Sequence, residues 1–158
     1  IGRAQLKKMD SIAEKRRAIY EKLKEEFKKE LVAFRIPEVE PDSEPNPWFL
    51  FVHVDKEKLK ADNNLLAKAI CAEGIPVGQK YVMPMYQAKW IVEKNTFGSS
   101  GLPWSLPQAR KINYEHCCPV AEKILEDHMT LPMHEYYRRQ EICDIIEAFK
   151  KVEKYFLK

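Results

Sequence analysis

The chain has 158 residues, of which 45% are hydrophobic and 32% are charged, a composition typical of one folded domain rather than a disordered segment. Its formal net charge of +3 comes from 27 basic and 24 acidic residues spread along the chain, which argues against a nucleic-acid or membrane-surface partner. No apolar run approaches the roughly 20 residues of a membrane-spanning helix, and no secretion signal opens the chain, so we expect a cytoplasmic protein.

The first segment predicts a long amphipathic helix that ends near Glu30. Its apolar residues recur at helical spacing, and Arg16 interrupts the stripe that they form. They are Leu6, Met9, Ile12, Ile19, Tyr20, Leu23 and Phe27. The chain opens at Ile1 without an initiator methionine or a capping residue, although the helical pattern is already running there. We therefore expect the chain to be part of a longer polypeptide.

The next segments predict a strand, a helix and a second strand. Residues 34–47 contain four prolines and predict an irregular surface connection. Residues 48–54 are aromatic or apolar at nearly every position, which is typical of a strand covered on both faces. Asp62 or Asn63 can cap the following helix, which Gly74 ends, and a short apolar strand begins after it.

The second half of the chain predicts a long loop, a helix, a strand and a final helix. Residues 92–110 are rich in Gly, Ser and Pro, and a loop this long is usually functional or mobile. Pro119 suits the first turn of a helix whose side chains Val120, Ala121, Ile124 and Leu125 should form a buried stripe. Residues 128–131 predict a short strand, and the last helix begins near Arg138.

This order of elements predicts an α+β fold with a three-stranded, mixed sheet and helices largely on one face, preceded by a long helix. The helices at 62–73 and 138–157 should pack on the sheet. Six apolar side chains of the helices should then lie in the core. They are Leu65, Ile70, Ile124, Ile142, Ile146 and Phe149.

Residues 74–86 form the segment around which the other elements are arranged. The segment contains two glycines, two prolines and two tyrosines, and it has neither helical nor strand periodicity. Loops of this kind on a rigid scaffold often carry binding residues, although an ordinary connection between two elements explains the composition equally well.

The cysteines and histidines offer weaker candidates for chemistry. Cys71, Cys117, Cys118 and Cys143 lack the spacing of zinc or redox motifs, so we expect reduced and mostly buried thiols. His116, Cys117 and Cys118 are consecutive, and three consecutive residues of a regular element cannot all face one metal ion. A nucleophilic pair of Cys118 and His134 stays open, although structural cysteines are commoner.

Other aromatic residues also have two interpretations. His53 lies in the apolar strand, where a core histidine with satisfied hydrogen bonds is the expected state. Trp90 and Trp104 flank the long loop and either line a pocket or fix the loop to the body of the domain.

Four segments, in this order, carry the resemblance of the chain to a known family. The first two are residues 5–10 with Arg16, Arg17 and Leu23, in the first helix, and residues 48–54, in the first long strand. The others are residues 74–81 with Pro84 and Tyr86, in the loop, and Cys118-Pro119-Val120-Ala121-Glu122 with Leu131-Pro132-Met133, in the later helix and strand. Together they resemble the linker helix, the first strand, the active-site loop and the closing helix and strand of the C-terminal small domain of the pyridoxal-phosphate-dependent sugar aminotransferases of the DegT/DnrJ/StrS type.

The resemblance implies that residues 1–30 are a linker helix leaving a large domain that this chain lacks, and that residues 31–158 are the small domain of a fold-type I aminotransferase. The full-length enzyme would be a homodimer that moves an amino group from an amino-acid donor to a keto sugar, often nucleotide-linked, or to a keto cyclitol. The cofactor lysine, its aspartate and most of the phosphate cradle would lie in the large domain. We therefore expect pyridoxal 5'-phosphate in the full-length enzyme, and no catalytic, cofactor-binding or metal residues and no activity in this fragment.

The resemblance also implies three substrate-binding residues, Lys80, Tyr81 and Tyr86. Many family members carry a His-Tyr pair and a later His in this loop, and the tyrosine version is more like members that act on aminocyclitols. Lys80 would offer a cation to a phosphate or carboxylate, and the tyrosines would offer hydroxyls and ring faces to a sugar or cyclitol. A solvated lysine and two half-buried packing tyrosines are the alternative.

A stand-alone α+β protein-interaction module, with an exposed apolar face for its partner, is the competing hypothesis. The first helix distinguishes the two, because a small domain should present apolar residues of 1–12 toward a large domain, whereas a stand-alone module should begin with a cap.

Overall fold

A computed structural model describes residues 1–96 and 98–158, which form two compact units: residues 1–81 with 127–158, and residues 82–126. The helices are α1 (Gly2–Leu6), α2 (Met9–Glu30), α3 (Asn63–Ala72), α4 (Lys89–Val92), α5 (Pro119–Glu126) and α6 (Arg139–Phe156). The strands are β1 (Phe34–Arg35), β2 (Phe49–Val54) and β3 (His128–Pro132). A 3-10 helix spans Met85–Gln87.

The predicted first helix is present, but it is interrupted near its start. The short α1 ends at Leu6, and α2 runs from Met9 to Glu30, the predicted end. The apolar stripe of α2 is buried where the periodicity places it, at Ala13, Ile19, Tyr20, Leu23 and Phe27. Arg16, which breaks the stripe, forms an ion pair with Glu135 at 2.8 Å between Nη2 and Oε2. A charged residue is therefore accommodated on this face because it meets a carboxylate.

The sheet has the order β1-β2-β3, and both pairings are antiparallel. The expected three strands are confirmed, whereas the expectation of a mixed sheet is wrong. The third strand is β1, which lies in the proline-rich segment, and not residues 75–77. Residues 75–77 do not pair with the sheet, because Pro76 has no N–H and the amide of Val77 donates to Cys71 Sγ at 3.5 Å. The chain meets the sheet one residue later, at an isolated bridge between Gly78 and Thr130.

Strand β2 has one buried and one partly covered face. Leu50, Val52 and Val54 are buried, whereas the alternate residues from Phe49 to His53 are half-buried. The prediction of a strand covered on both faces is therefore wrong, although the helices do pack largely on one face of the sheet, as expected. An antiparallel sheet of this kind commonly leaves one face accessible.

The core lies between the sheet and the helices α2, α3 and α6. Phe149 of α6 is fully buried, and its ring contacts Phe27 at 4.9 Å and Phe34 at 5.1 Å between centroids. Of the six side chains expected in the core, four are buried, namely Ile70, Ile142, Ile146 and Phe149. Leu65 is half-exposed, since its neighbour Leu66 takes the inward position of α3. Ile124 is half-exposed as well.

The second unit contains no buried residue among those that the structure describes in it. The expected buried stripe on α5 is therefore wrong: Val120 is 72% exposed, and no residue of α5 is buried. The residues that the structure describes in this unit form no core on which the stripe could pack. The described residues between Glu93 and Cys118 contain no helix or strand, in agreement with the predicted loop over 92–110. One residue of that prediction, Phe97, lies outside the described residues.

All four cysteines are exposed free thiols, so the expectation of mostly buried cysteines is wrong. Cys71 and Cys143 lie on outward positions of α3 and α6, and Cys117 and Cys118 precede α5 in the second unit. Within the two described stretches, no helix is long and apolar enough to cross a lipid bilayer.

Candidate functional site

The loop that follows α3 begins at a well-defined helix end. The Asp62 side chain caps the helix by accepting a hydrogen bond from the amide of Leu65 at 2.8 Å, which decides between the two predicted caps. At the other end of α3, Gly74 has a φ of 92°, in the left-handed region that glycine adopts without strain. Asp62 thus fixes where α3 begins, and Gly74 sets the direction in which the chain leaves it.

Gly78 fixes the loop to the edge of the sheet. Its amide donates to the carbonyl of Thr130 at 2.8 Å, and the amide of Thr130 donates back to Gly78 at 2.9 Å. A Cβ atom at position 78 would lie only 2.4 Å from Thr130 Oγ1, so a larger residue cannot occupy this position without displacement. The close approach requires glycine, and it holds this point of the loop beside β3.

Lys80, the first of the three predicted substrate-binding residues, is exposed. Among the residues that the structure describes, it has no carboxylate partner at ion-pair distance. Its ammonium group is therefore available to an anion from solution.

Tyr81, the second predicted residue, packs on the accessible face of β2. Its ring stacks on Phe49 with 4.8 Å between centroids and meets Phe51 edge-on at 5.8 Å. The side chain nevertheless remains 45% exposed. Tyr81 thus combines both interpretations, because one part of the ring is held by packing while the rest is open to a ligand.

Tyr86, the third predicted residue, belongs to the second unit and forms a chain of hydrogen bonds there. Its hydroxyl donates to Glu122 Oε1 at 2.5 Å, and Glu122 Oε2 lies 2.9 Å from His116 Nδ1. The side chain of Glu122 is only 14% exposed. Lys80 and Tyr81 lie together in the first unit, so the three predicted residues are divided between the units.

The hydrogen bonds among Tyr86, Glu122 and His116 stabilise the charges of these side chains. Burial and the adjacent Glu122 carboxylate raise the pKa of the Tyr86 hydroxyl, so that it keeps its proton. Hydrogen bonds from Tyr86 and His116 lower the pKa of Glu122, and the bond to Glu122 raises the pKa of His116. Glu122 is therefore an ionised carboxylate held from both sides.

Sequence reasoning did not assign a role to Glu122 or His116. Glu122 is 36 positions from Tyr86 along the chain, and a separation of that size leaves no periodic signal. The one signal in the sequence was weak: Glu122 is an acidic residue in the first turn of α5. The positive φ of His116, 49°, is visible only in the structure.

The other candidates have local partners. No group of three or more metal-ligating side chains occurs in the described part of the chain, and His116 is engaged by Glu122. His134 Nδ1 accepts a hydrogen bond from the amide of Tyr136 at 3.3 Å. His53 is half-buried beside His128 with 5.0 Å between ring centroids, and burial lowers its pKa, followed by the effect of Arg35.

The described residues do not fit a pyridoxal phosphate site. The cofactor needs a lysine amine in a shielded position, an acid at the ring nitrogen and fixed donors for its phosphate. No lysine is buried in the described stretches, and the least exposed one, Lys24, forms an ion pair with Glu21 at 2.7 Å. Its pKa is raised, first by this hydrogen bond, which is opposite to what imine formation requires.

Solved structures of aminotransferases have the same fold over nearly the whole chain. The aminotransferase from Psychrobacter cryohalolentis gives a TM-score of 0.72 at 21% identity, over 98% of this chain and 38% of that one. PseC of Helicobacter pylori, an aminotransferase involved in the biosynthesis of pseudoaminic acid, gives 0.70 at 17% identity over 98% and 36%. Spr1654 of Streptococcus pneumoniae in its PLP form, described as a sugar aminotransferase, gives 0.70 at 21% identity over 99% and 35%.

At these identities the likeness shows the fold, which is α+β as in the matching part of these enzymes. This chain spans little more than a third of the length of the solved structures that it matches. No curated protein sequence matches it. A family model, however, matches residues 1–150, almost the entire chain. The chain belongs to the DegT/DnrJ/EryC1/StrS aminotransferase family.

Proposed function

We propose that this chain is the small domain of a pyridoxal-phosphate-dependent sugar aminotransferase and that its loop at 74–86 binds the amino acceptor. In this proposal residues 1–30 are a linker helix from a large domain, and residues 31–158 are the small domain. Membership of the family over residues 1–150 supports the proposal, as does the description of one neighbour as a sugar aminotransferase. The full-length enzyme would be a cytoplasmic homodimer.

The observation that carries the proposal is the loop fixed to β3 at Gly78, which presents an exposed lysine beside a half-open aromatic ring. Lys80 would bind a phosphate or carboxylate of the acceptor, since its ammonium group has no carboxylate partner in the described structure. Tyr81 would place the open part of its ring against the apolar face of a sugar or cyclitol, while Phe49 holds it in place.

The amino acceptor would be a keto sugar, often nucleotide-linked, or a keto cyclitol, and the donor an amino acid. Pyridoxal phosphate, when bound elsewhere in the full-length polypeptide, supplies the electron sink for amino transfer. The residues of this chain would bind and orient the acceptor and exclude water from it. This division of labour explains why the described lysines are exposed or paired, and it makes the fragment inactive by itself.

The test is steady-state kinetics of the full-length enzyme with Lys80→Ala. The charge-assisted hydrogen bond that is lost contributes about 1.5–3 kcal/mol. The KM for a phosphate-bearing keto sugar should therefore rise roughly tenfold or more with little change in kcat, because the bond forms in the substrate complex and persists in the transition state. The cofactor absorbance should stay unchanged. Lys68→Ala is the matched control, as Lys68 is an exposed lysine of α3. Equal kinetics of both variants and the parent would contradict the proposed role.

A stand-alone protein-interaction module is the second candidate. The observation that favours it is the number of exposed apolar side chains in the second unit, such as Met85, Trp90, Val92 and Val120. The intact mass of the gene product as first translated distinguishes the two. A stand-alone module should have about the mass of this chain, 18.6 kDa, whereas the proposed enzyme should be much heavier.

A further inference from the structure

We propose that Glu122 is a positioning residue that turns the Tyr86 hydroxyl into a hydrogen-bond acceptor, so that Tyr86 selects a hydroxyl group of the amino acceptor. This inference rests on the proposed function and gives it a substrate feature. It follows from one short hydrogen bond and from the number of protons that the two side chains have.

The proton between Tyr86 and Glu122 must come from the tyrosine. Their oxygens are 2.5 Å apart, a distance that requires a hydrogen between them. Glu122 is ionised, since hydrogen bonds from Tyr86 and His116 lower its pKa, and an ionised carboxylate can only accept. A tyrosine hydroxyl has a single proton, and here it points to Glu122.

The phenol oxygen therefore offers only its lone pairs to any other group. A ligand atom that meets this oxygen must be a donor, such as a hydroxyl or an ammonium group. Carbonyl, phosphate and carboxylate oxygens have no proton to donate and would be repelled there. Tyr86 is thus unsuited to bind the keto group or a phosphate and is suited to a ring hydroxyl, which sugars and cyclitols carry in number.

His116 completes the arrangement by holding the other carboxylate oxygen. Its Nδ1 lies 2.9 Å from Glu122 Oε2, so both oxygens of the carboxylate are engaged and its plane is fixed. The His116 side chain is 81% exposed and that of Glu122 only 14%. Solvent therefore reaches the histidine while the bond between Tyr86 and Glu122 is shielded, which favours a single orientation of the hydroxyl.

The experiment is a double-mutant cycle in the full-length enzyme with Tyr86→Phe, Glu122→Gln and the double variant. The acceptors are a nucleoside-diphosphate keto-deoxy sugar and a keto-inositol. Each single change should raise the acceptor KM about fivefold to tenfold, the effect of one hydrogen bond, with little change in kcat. The double variant should be no worse than Tyr86→Phe, because Glu122 acts through Tyr86. Glu115→Gln, an exposed carboxylate near His116, is the charge-matched control.

A second readout does not depend on activity. Absorbance at high pH, compared between proteins with and without Tyr86, reports the ionisation of this tyrosine. Glu122→Gln should lower the pKa of Tyr86, because the negative charge beside the hydroxyl is removed. No shift would show that the hydrogen bond is absent and would overturn the inference.

Additive effects of the two changes on KM, or an unchanged KM in Tyr86→Phe, would also overturn it. If Lys80→Ala raises the acceptor KM while Tyr86→Phe does not, the proposed function stands and this inference alone fails. If the full-length protein transfers no amino group to either class of acceptor, the proposed function fails and the inference fails with it.

Discussion

Glu153 is a buried carboxylate that binds backbone amides rather than a cation. Its Oε2 accepts from the amide of Ala33 at 2.7 Å, and both of its oxygens lie 3.1 Å from the amide of Val32. These amides lie where the chain passes from α2 to β1, so no helix or strand partner satisfies them. The residue joins α6 to this connection, and no pattern in the sequence indicates it.

Replacing Glu153 by Gln should lower the free energy of unfolding by about 1–3 kcal/mol, because a strong acceptor is lost while the amide of Ala33 stays buried. Urea unfolding of the chain measures this change. Glu147→Gln, an exposed position on the same helix, should change the stability by less than about 0.5 kcal/mol. Equal stability of the two variants would mean that water satisfies the amides of residues 32 and 33.

Two histidines should titrate on opposite sides of the ordinary value of 6.5. Burial lowers the pKa of His53, and the hydrogen bond to Glu122 raises that of His116. His53 therefore contributes stability that is present above pH 6.5 and lost as the pH falls toward its folded pKa. His116 contributes stability below 6.5 that is lost as the pH rises through its folded pKa.

Proton NMR of the imidazole rings over a pH series measures both midpoints. The His116 midpoint should fall in Glu122→Gln, while that of His53 should stay in place. A His116 midpoint below that of His53 would contradict the geometry of the hydrogen-bond chain in the second unit.

The contact of the loop with β3 predicts a loss of stability that a second substitution should reverse. Gly78→Ala should destabilise the loop, since the new Cβ would lie 2.4 Å from Thr130 Oγ1. Adding Thr130→Ala removes that atom and leaves 3.5 Å to the carbonyl oxygen of Lys80, an ordinary contact. The double variant should therefore recover most of the stability lost by the single one.

Thermal unfolding of the four proteins of this cycle measures the recovery. Thr130→Ala alone supplies the baseline. A double variant as unstable as Gly78→Ala would show that the strain lies in the backbone of residue 78 and not in the clash with Thr130.

The periodic elements were predictable from sequence because their apolar residues repeat. The spacing of Leu23 and Phe27, and that of Ile142, Ile146 and Phe149, located α2 and α6 and their buried faces. The two-residue strand β1 was not predictable, since a strand of this length has no period and prolines follow it. The direction of strand pairing was also missed, because it depends on contacts between distant segments.

The candidate site was predictable only in part. The loop at 74–86 could be located from its glycines and prolines, and Gly74 was expected to end the helix. The contact of Tyr81 with Phe49 and the bond of Tyr86 with Glu122 join residues far apart in sequence, so they required the structure. The exposed stripe on α5 was mispredicted, because apolar periodicity shows which face seeks a partner and not whether this chain supplies one.

In the full-length polypeptide, acceptor binding and cofactor chemistry would belong to different parts of the molecule. This chain matches its family over residues 1–150 while spanning little more than a third of the solved structures, and none of its described lysines is buried. Our central claim is that residues 74–86 bind the acceptor while pyridoxal phosphate is held by other parts of the full-length polypeptide.

The most direct test is to reduce the full-length protein with borohydride in the presence of pyridoxal phosphate and to map the labelled lysine by mass spectrometry. We predict one stoichiometric adduct at a lysine outside residues 1–158, with only scattered, low-yield labelling within them, because exposed lysines lack the shielded position and the phosphate donors that fix the cofactor. One lysine of residues 1–158 labelled stoichiometrically would contradict the account, since this chain would then contain the cofactor site.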